Sequence, residues 1–356
     1  MSKQTIGILT GGGDCPGLNA VIRGVTKSAI NRYGMQVIGF YDSFLGMIEK
    51  RYEVLDSKHV SGILTQGGTI LGSTNQADPF HMPNSDGTYS DLSQRCIDLY
   101  HELNLSALVC VGGDGTMTLA GKLAERGINV IGVPKTIDKD LMETDATFGF
   151  DSALVTATEA IDKLHTTAHA HHRIMAVEVM GRNAGWLALE AGIAGGGDTI
   201  LIPEMPYNIE IVASSILDRY KEGKRFSIVV VAEGAKPLAG EQTYQQDTRN
   251  QRRLGGISHI IAESLSQLTG LDSRVTILGH LQRGGTPSPH DRVLATQFAT
   301  KAVELIVSGN FNKMVALKGV DIVDVPLEKV MGKQRTVPLD HPLISAARAV
   351  GTCFGI

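Results

Sequence analysis

The sequence lacks the features that mark several classes of protein. Its 33 lysines and arginines stand against 37 aspartates and glutamates, a formal charge of −4, whereas a domain that binds a phosphate backbone normally carries a basic face. No apolar run reaches the roughly 18 residues that a membrane span requires, and the amino terminus shows no charged-then-apolar leader. We therefore expect no nucleic-acid partner, no membrane partner and a cytoplasmic location.

Cysteine is scarce as well. The four cysteines are scattered without C-x-x-C spacing, at Cys15, Cys96, Cys110 and Cys353. This argues against a disulfide framework or a structural zinc site and fits a reducing compartment. A histidine-rich tract invites a metal interpretation, but no cysteine is near it, and we favour neutral histidines at a helix end. That tract contains His165, His169, His171 and His172.

Glycine, in contrast, is abundant. The chain has 41 glycines in 356 residues, above the usual share of about 7%. Two glycine-rich stretches, at 11–19 and 66–75, occur early in the chain, and the first lies between an apolar strand (5–10) and an amphipathic helix that Gly34 ends. Such a turn binds anions. The first stretch matches neither the dinucleotide fingerprint nor the P-loop pattern, so neither a Rossmann dehydrogenase nor a P-loop enzyme is indicated.

Two further motifs predict phosphoryl transfer. GGDGT (112–116) follows a predicted strand at 108–111, and VPKTIDKD (133–140) includes the end of another at 129–133. In an open α/β sheet, ligands bind at the carboxyl ends of such strands. Bare backbone N–H groups suit phosphate, and Asp114 suits Mg²⁺. Asp138 and Asp140, if extended, point the same way, so that one can act as base while the other tunes it or reaches the metal. Each motif alone could also be an ordinary turn.

The second half repeats the strand-and-helix rhythm from about residue 150. Strands are predicted at 174–179, 199–202, 227–232 and 275–278. Arg182 and Arg283 each follow a predicted buried strand beside glycine, and Glu233 and His280 lie at comparable strand ends. Guanidinium groups suit a phosphate and the other two suit hydroxyls, so we expect a sugar phosphate here. The alternative is that these side chains are simply solvated.

Taken together, seven motifs between residue 5 and about residue 305 resemble the phosphofructokinase A family, whose members phosphorylate the 1-hydroxyl of fructose 6-phosphate. In order they are GGGDCPGLNAVIRG (11–24), GGTILGS (67–73), GGDGT (112–116), PKTIDKD (134–140), MGRNAG (180–185), IPE (202–204) and LGHLQRGG (278–285). The resemblance implies an α/β fold of two similar-sized Rossmann-like domains with parallel sheets flanked by helices, and an active site in the cleft between them. We expect a donor domain at 1–149 plus about 282–335 and a sugar-phosphate domain at 150–281 plus about 336–356.

The resemblance also implies residue roles. Asp138 would be the general base, Thr136 would position the acceptor, and Asp140, Arg182 and Gly12 would support the transferred phosphoryl. Mg²⁺ would be the cofactor, held by Asp114. The donor side would further comprise Gly12, Asn75, Gln76, Gly113, Gly115 and Thr116. Fructose 6-phosphate would contact Thr136, Ile137, Asp138, Met180, Gly181, Arg182, Glu233, His280, Leu281, Gln282 and Arg283, with Arg173 and Arg274 reaching in from a neighbouring subunit. That last feature implies a homotetramer.

The donor positions give conflicting signals. Gly115 stands where pyrophosphate-using members commonly carry aspartate, and glycine there leaves room for the α-phosphate of ATP. Lys135 matches pyrophosphate-using members, and Asn75 replaces a donor-side arginine common in bacterial ATP enzymes. Lys139 replaces the usual asparagine and could restore some charge. We expect ATP as donor because Gly115 decides whether a nucleotide can enter, with a pyrophosphate-dependent enzyme as the alternative.

Several different functions also fit parts of the sequence. A NAD or lipid kinase also carries Gly-Gly-Asp-Gly loops, a regulatory subunit could keep the fold without the chemistry, and a sugar such as sedoheptulose 7-phosphate could replace fructose 6-phosphate. Five basic residues match the positions at which bacterial members bind an anionic effector, although a charged subunit contact would look the same. They are Arg23, Lys27, Arg51, Lys224 and Arg225.

Overall fold

The computed structural model describes residues 4–84, 86–246 and 252–356. The described chain divides into two compact units. The first takes the described residues of Met1–Thr136, Leu141–Ser152 and Arg283–Gln334, and the second those of Ile137–Asp140, Ala153–Gln282 and Arg335–Ile356. Residues 137–140, which the sequence analysis places with the first domain, therefore belong to the second unit.

Strands and helices alternate along most of the described chain. The strands are β1 (Thr5–Thr10), β2 (Gln36–Phe40), β3 (Tyr52–Leu55), β4 (Met82–Pro83), β5 (Tyr89–Ser90), β6 (Leu105–Gly112), β7 (Val130–Thr136), β8 (Phe148–Gly149), β9 (Ile174–Val179), β10 (Thr199–Leu201), β11 (Ser227–Ala232), β12 (Tyr244–Gln246), β13 (Arg252–Leu254), β14 (Ser273–Ile277), β15 (Lys313–Lys318) and β16 (Asp321–Pro326). The helices are α1 (Leu18–Tyr33), α2 (Phe44–Ile48), α3 (Ser93–Glu102), α4 (Asp114–Glu125), α5 (Phe150–His171), α6 (Trp186–Ala194), α7 (Ile209–Lys221), α8 (Ile257–Thr269), α9 (Pro289–Val307) and α10 (Pro342–Ala349).

The first unit is built on an eight-stranded sheet. Its order is β16-β15-β7-β6-β1-β2-β3, with β8 beside β7. The central pairs are parallel, whereas β2 with β3 and β15 with β16 are antiparallel. The expected α/β fold with a mostly parallel sheet is confirmed. The antiparallel edges differ from the expectation, because the sequence signal of an edge strand does not reveal its direction.

The middle of this sheet positions the glycine-rich turns. Every residue of β1 is buried between β6 and β2, and a fully buried strand reads as a continuous apolar run. Burying each leucine or isoleucine of such a strand stabilises the fold by about 1.5–3 kcal/mol. Since β1, β6 and β7 are parallel neighbours, the turns that follow them emerge at the same edge of the sheet.

Helix α1 follows the first of those turns. It begins after Gly17, whose φ is 111°, and ends at Gly34, whose φ is 63° and whose N–H donates to the carbonyls of Ala29 and Ile30. The expectation that Gly34 ends this helix is confirmed, and the glycine has the left-handed conformation typical of such caps. The helix packs on α9 where Gly24 faces Ala299, and a Cβ on Gly24 would stand 2.5 Å from the Ala299 Cβ. The two helices can approach this closely only because Gly24 has no side chain.

The second unit has a smaller parallel sheet with the order β10-β11-β9-β14. Strands β9 and β11 are wholly buried and have the predicted bounds. The prediction that a buried strand precedes His280 is wrong, since β14 is an edge strand with partly exposed residues. The carboxyl-terminal segment lies along the opposite edge, where the Ile200 N–H donates to the Cys353 carbonyl at 2.9 Å.

None of the helices in the described ranges combines the length and apolar character needed to cross a membrane.

Substituting valine for Gly24 tests the contact between α1 and α9. The added side chain has no room beside Ala299, and overpacking of this kind destabilises by about 1–3 kcal/mol. We expect Gly24→Val to lower the melting temperature measured by circular dichroism. Asn31→Val is the matched control. It places valine at an exposed position of the same helix, so it introduces the same β-branched side chain into the helix without crowding a neighbour. Equal melting of the two variants would contradict this contact.

Candidate active site

The two glycine-rich loops of the first unit are hydrogen-bonded to each other. The Gly11 N–H donates to the Val111 carbonyl at 2.9 Å, and the Gly12 N–H donates to the Thr74 carbonyl at 3.1 Å. The Ser73 hydroxyl donates to the Gly12 carbonyl at 2.6 Å. Gly12 is thus held against the 66–75 loop, directly before Asn75. The Gly12 N–H, which was expected to support the phosphoryl, is engaged by Thr74 here, so that role requires this bond to open.

Asn19 joins the same loops and was missed by sequence reasoning. This buried side chain donates to the carbonyls of Gln66 and Gly67 at 3.3 and 3.2 Å and accepts from the Ile70 N–H at 2.8 Å. One buried amide therefore fixes three points of the 66–75 loop. The signal that could have found it is a polar residue among the buried apolar residues at the start of α1.

Thr116 fills the space that two glycines leave. A Cβ on Gly112 would stand 2.2 Å from the Thr116 Oγ1, and one on Gly11 would stand 2.7 Å from it. Non-bonded contacts this short do not occur, so a side chain at either glycine would collide with Thr116. The turns after β1 and β6 consequently meet over the threonine side chain with bare backbone, which is the arrangement that anion-binding loops use.

Asp114 is the first residue of α4, where the helix dipole favours negative charge. Its Oδ1 accepts from the Gly332 N–H at 3.1 Å, which orients the half-buried carboxylate. Gly115 beside it is exposed, and a Cβ there would meet nothing within 4 Å. The described residues contain no group of three or more histidine, cysteine, aspartate or glutamate side chains arranged to hold a metal.

Lys135 reaches the first glycine loop from β7. The side chain is buried, and its Nζ donates to the Gly13 carbonyl. A Cβ on Gly12 would stand 3.4 Å from this ammonium. Burial raises the pKa of the neighbouring Cys15 thiol to about 12, although the Lys135 charge opposes the shift. Cys15 therefore stays protonated and is not a nucleophile.

Arg283 lies in the first unit, against the same loop. Its guanidinium passes directly over Gly13, because a Cβ there would fall 1.5 Å from the Arg283 Nη1. Two residues later, the Gly285 carbonyl approaches to 2.2 Å from where a Cβ on Gly67 would stand. The 283–285 segment thus packs on both glycine-rich loops. That Arg283 binds the sugar phosphate stays a prediction.

The segment 137–140 is not extended. Strand β7 ends at Thr136, and Lys139 has the left-handed φ of 55°. The premise that Asp138 and Asp140 point the same way because they are two residues apart is therefore wrong. Asp140 is buried, Asp138 is half-buried, and the Lys139 Nζ pairs with the Glu190 carboxylate at 2.7 Å. The charge of Lys139 is met locally by that carboxylate.

In the second unit, the turn after β9 is conformationally strained. Gly181 has a φ of 140° and Arg182 has a φ of 52°, a conformation that costs a non-glycine residue about 1–3 kcal/mol. The Arg182 N–H donates to the Glu233 Oε1 at 3.0 Å, and a Cβ on Gly234 would stand 2.0 Å from the Arg182 carbonyl oxygen. The turn after β11 therefore holds the turn after β9, with Arg182 exposed.

The 279–283 segment is fixed by a buried amide. The Gln282 Oε1 accepts from the Met180 N–H at 3.4 Å, and its Nε2 donates to the Gly279 carbonyl at 3.1 Å. The Gln282 side chain is thus engaged within the protein, while Leu281 is exposed. This side chain therefore ties Met180 to Gly279, the residue before His280.

Arg173 and Arg274 share one carboxylate. The Arg173 Nε lies 2.7 Å from the Asp272 Oδ2, and the Arg274 Nη1 contacts the Oδ1. Desolvation raises the pKa of Asp272, but hydrogen bonds from Arg274 and Arg173 hold it below its ordinary value. The two arginines that were expected to act together are adjacent.

Two of the five expected effector residues, Arg51 and Lys224, and His165 of the histidine tract contact neighbouring groups. Arg51 pairs with Asp42 at 2.6 Å and with Glu49 at 2.7 Å, and Lys224 lies 3.2 Å from Glu222. Arg23 and Lys27 lie on α1, and Arg225 is exposed. In the tract, His165 Nε2 lies 2.6 Å from the Gly195 carbonyl. Whether the basic residues bind an effector stays a prediction.

Comparison with known proteins fixes the family. The family model described as Phosphofructokinase matches residues 5–306. The chain belongs to the phosphofructokinase family. An ATP-dependent 6-phosphofructokinase of Spirochaeta thermophila is 53% identical over 99% of this chain and 98% of its own.

Solved phosphofructokinases share the fold. A structure of the Pichia pastoris phosphofructokinase matches with a TM-score of 0.80 and 30% identity over 99% of this chain, which spans 37% of that longer chain. A pyrophosphate-dependent phosphofructokinase from Marinobacter aquaeolei matches with a TM-score of 0.81 over 99% of this chain and 88% of its own, at 21% identity. At that identity the second likeness concerns the fold alone.

Because the backbone of Arg182 is strained, we expect substitution of this residue by glycine to have an unusual effect on stability. Since glycine adopts positive φ without cost, Arg182→Gly should leave the melting temperature unchanged or raise it slightly. The adjacent Asn183→Gly is the matched control, because Asn183 is also exposed but has an ordinary φ. That variant should lose about 0.5–1 kcal/mol of stability and should therefore have a lower melting temperature. The same loss in both variants would show that Arg182 is not strained.

Proposed function

We propose that this chain is an ATP-dependent 6-phosphofructokinase, which transfers the γ-phosphoryl of ATP to the 1-hydroxyl of fructose 6-phosphate and so acts in glycolysis. The observation that carries the proposal is 53% identity, over nearly the whole of both chains, to a protein of that name. Each of the two units contains groups of the kind that the reaction needs. Phosphoryl transfer depends on positioning and electrostatic stabilisation more than on covalent chemistry.

The first unit supplies the donor half. The bare backbone of the turns after β1 and β6, held by Thr116 and Asn19, offers N–H groups for the donor phosphates. The positive end of α4 begins at Asp114. Because nothing lies within 4 Å of a Cβ on Gly115, the position leaves room for the part of a nucleotide that pyrophosphate lacks.

Mg²⁺ would bind at Asp114. Kinase sites usually hold this ion by one or two carboxylates together with substrate phosphates and water, so a single oriented carboxylate at a helix amino terminus fits it. When bound, the ion neutralises charge on the donor phosphates. Asp114 itself holds its position through the Gly332 N–H.

The acceptor half lies in the 136–140 stretch and in the second unit. Asp138 would remove the proton from the 1-hydroxyl, with Thr136 positioning the acceptor and Asp140 and Arg182 supporting the developing charge. Met180, Gly181, Glu233 and His280 would bind the sugar. The fixed contact of Glu233 with the Arg182 N–H supports this assignment, since preorganised groups cost no reorganisation during the reaction.

The pyrophosphate-dependent enzyme is the second candidate, and Lys135 is the observation that favours it. Its ammonium lies at the Gly13 carbonyl, where added positive charge suits a compact, highly charged donor. We further propose a cytoplasmic homotetramer in which Arg173 and Arg274 serve a neighbouring subunit's sugar site. An anionic effector would bind at Arg23, Lys27, Arg51, Lys224 and Arg225.

The donor is tested by measuring fructose 1,6-bisphosphate formation from fructose 6-phosphate and Mg²⁺ with ATP, ADP or pyrophosphate as the only donor. We expect turnover with ATP. Gly115→Asp should fold, because its side chain has room, and should lose most ATP-dependent activity through repulsion of the nucleotide phosphates. Gly115→Ala is the matched control and should keep it. Turnover with pyrophosphate alone would identify the second candidate as correct.

The general base is tested by Asp138→Asn. A positioned general base contributes about 10²–10⁴-fold, so kcat should fall by that order while KM for fructose 6-phosphate changes little. Glu143→Gln, a neutralised carboxylate five residues further on, is the control and should keep near-normal kcat. A near-normal kcat for Asp138→Asn would mean that another group accepts the proton.

A further inference from the structure

Trp186 is the only tryptophan of the chain, and two cations lie close to its ring. The residue begins α6, directly after the MGRNAG motif, and is only 1% exposed. The Arg335 guanidinium carbon lies 4.7 Å from the ring centroid, and the Lys139 Nζ lies 5.4 Å from it. The indole N–H donates to the Arg335 carbonyl at 3.2 Å. Tryptophan is the best ring for such cation contacts.

The same cluster holds the segment that carries Asp138 and Asp140. The Arg335 N–H donates to the Asp140 carbonyl at 2.7 Å. Lys139 pairs with Glu190, which lies one turn after Trp186 on α6, and both side chains are less than 20% exposed (18% and 19%). Three distant parts of the sequence thus meet within the second unit: residues 137–140, the start of α6 and the carboxyl-terminal segment from Arg335.

The conformation of Lys139 shows why such a cluster is needed. A φ of 55° is strained for a non-glycine residue, and strain of this kind persists only where the surroundings impose it. The neighbouring groups impose it from both sides, since the lysine side chain is held by Glu190 and Trp186 and the next carbonyl by Arg335. Asp138 is the residue immediately before Lys139, so the conformation of Lys139 bears directly on where the Asp138 carboxylate lies.

We propose that Trp186 and Arg335 are positioning residues that clamp the 137–140 segment and thereby set the place of the Asp138 carboxylate. This inference rests on the proposed function, in which Asp138 is the base. It assigns a role to the carboxyl-terminal segment, which fixes the catalytic segment from outside the substrate contacts. The competing interpretation is that the cluster is ordinary packing, in which case it contributes to stability and leaves the chemical step unaffected.

The test uses three variants of the full chain. Arg335→Met removes the guanidinium that covers the Trp186 ring and keeps the backbone N–H that donates to the Asp140 carbonyl, so it tests the side-chain part of the clamp. Arg335→Lys keeps a cation at this position. Arg348→Met is the matched control, because Arg348 lies in the same carboxyl-terminal segment with its guanidinium carbon 5.7 Å from the Phe354 ring. Two quantities are measured for each: steady-state kcat and KM for fructose 6-phosphate, and acrylamide quenching of the single tryptophan.

We expect Arg335→Met to lower kcat by at least about tenfold, since misplacing a reacting group by 1 Å can cost about 10²-fold. KM for fructose 6-phosphate should change by less than about twofold. Acrylamide quenching of Trp186 fluorescence should increase, because the Arg335 guanidinium no longer shields the ring. Arg335→Lys should recover part of kcat, and Arg348→Met should behave as the wild type in both measurements.

The quenching measurement does not depend on catalysis, so the two proposals fail separately. A wild type that transfers no phosphoryl group with any donor would overturn the proposed function, and the role of Arg335 in positioning a base would fall with it, whatever the quenching shows. An active wild type in which Arg335→Met keeps kcat would overturn the clamp alone. A loss of kcat that Arg348→Met shares equally would also overturn it, because the effect would then be one of stability.

Discussion

Steric exclusion around the turns that follow β1 and β6 is the constraint on which the arrangement of the glycine-rich loops depends. Three pairs of segments approach there until a single Cβ would collide: Gly112 with Thr116 at 2.2 Å, Gly67 with the Gly285 carbonyl at 2.2 Å, and Gly13 with Arg283 at 1.5 Å. Glycine is therefore required where the obstacle is backbone, as at Gly67, or the Cβ of a buried side chain, as at Gly112, whereas at Gly13 the end of the flexible Arg283 side chain can move aside. Loops packed in this way keep their backbone bare, and bare N–H groups in a fixed arrangement bind phosphate.

The fold was largely predictable, for reasons that particular elements show. Strands β9 and β11 are buried on both faces, so their apolar runs have clear ends, and helix α1 ends at a glycine with the left-handed conformation that only glycine adopts freely. Strand β14 was harder to predict. It lies at a sheet edge with partly exposed residues, and an edge strand's register and burial depend on neighbours that its own sequence does not reveal.

The candidate site was predictable as a set of motifs and less so as a geometry. Asp114, Gly115 and Arg182 could be predicted as site residues from their side-chain chemistry and from their positions after the ends of strands. A polar residue among apolar neighbours makes Asn19 conspicuous in the sequence, but its neighbours do not reveal that its partners lie in the 66–75 loop. Nor do they reveal that Lys139 adopts a left-handed conformation and pairs with Glu190. These features arise from contacts between residues about 50 positions apart. Periodicity in sequence describes regular backbone only, so the extended-strand argument for Asp138 and Asp140 failed where β7 ends.

The two lysines that complicate the choice of donor differ in the structure. Lys139 is paired with Glu190, so its charge adds little to the field at a donor phosphate. Lys135 brings its ammonium to the Gly13 carbonyl of the glycine loop. A positive charge there attracts the phosphates of ATP and of pyrophosphate alike, because both donors are anions. Free space at Gly115 matters only for the larger donor. Charge can therefore raise the affinity for either donor, while under the proposed function the open space at Gly115 is what would admit ATP.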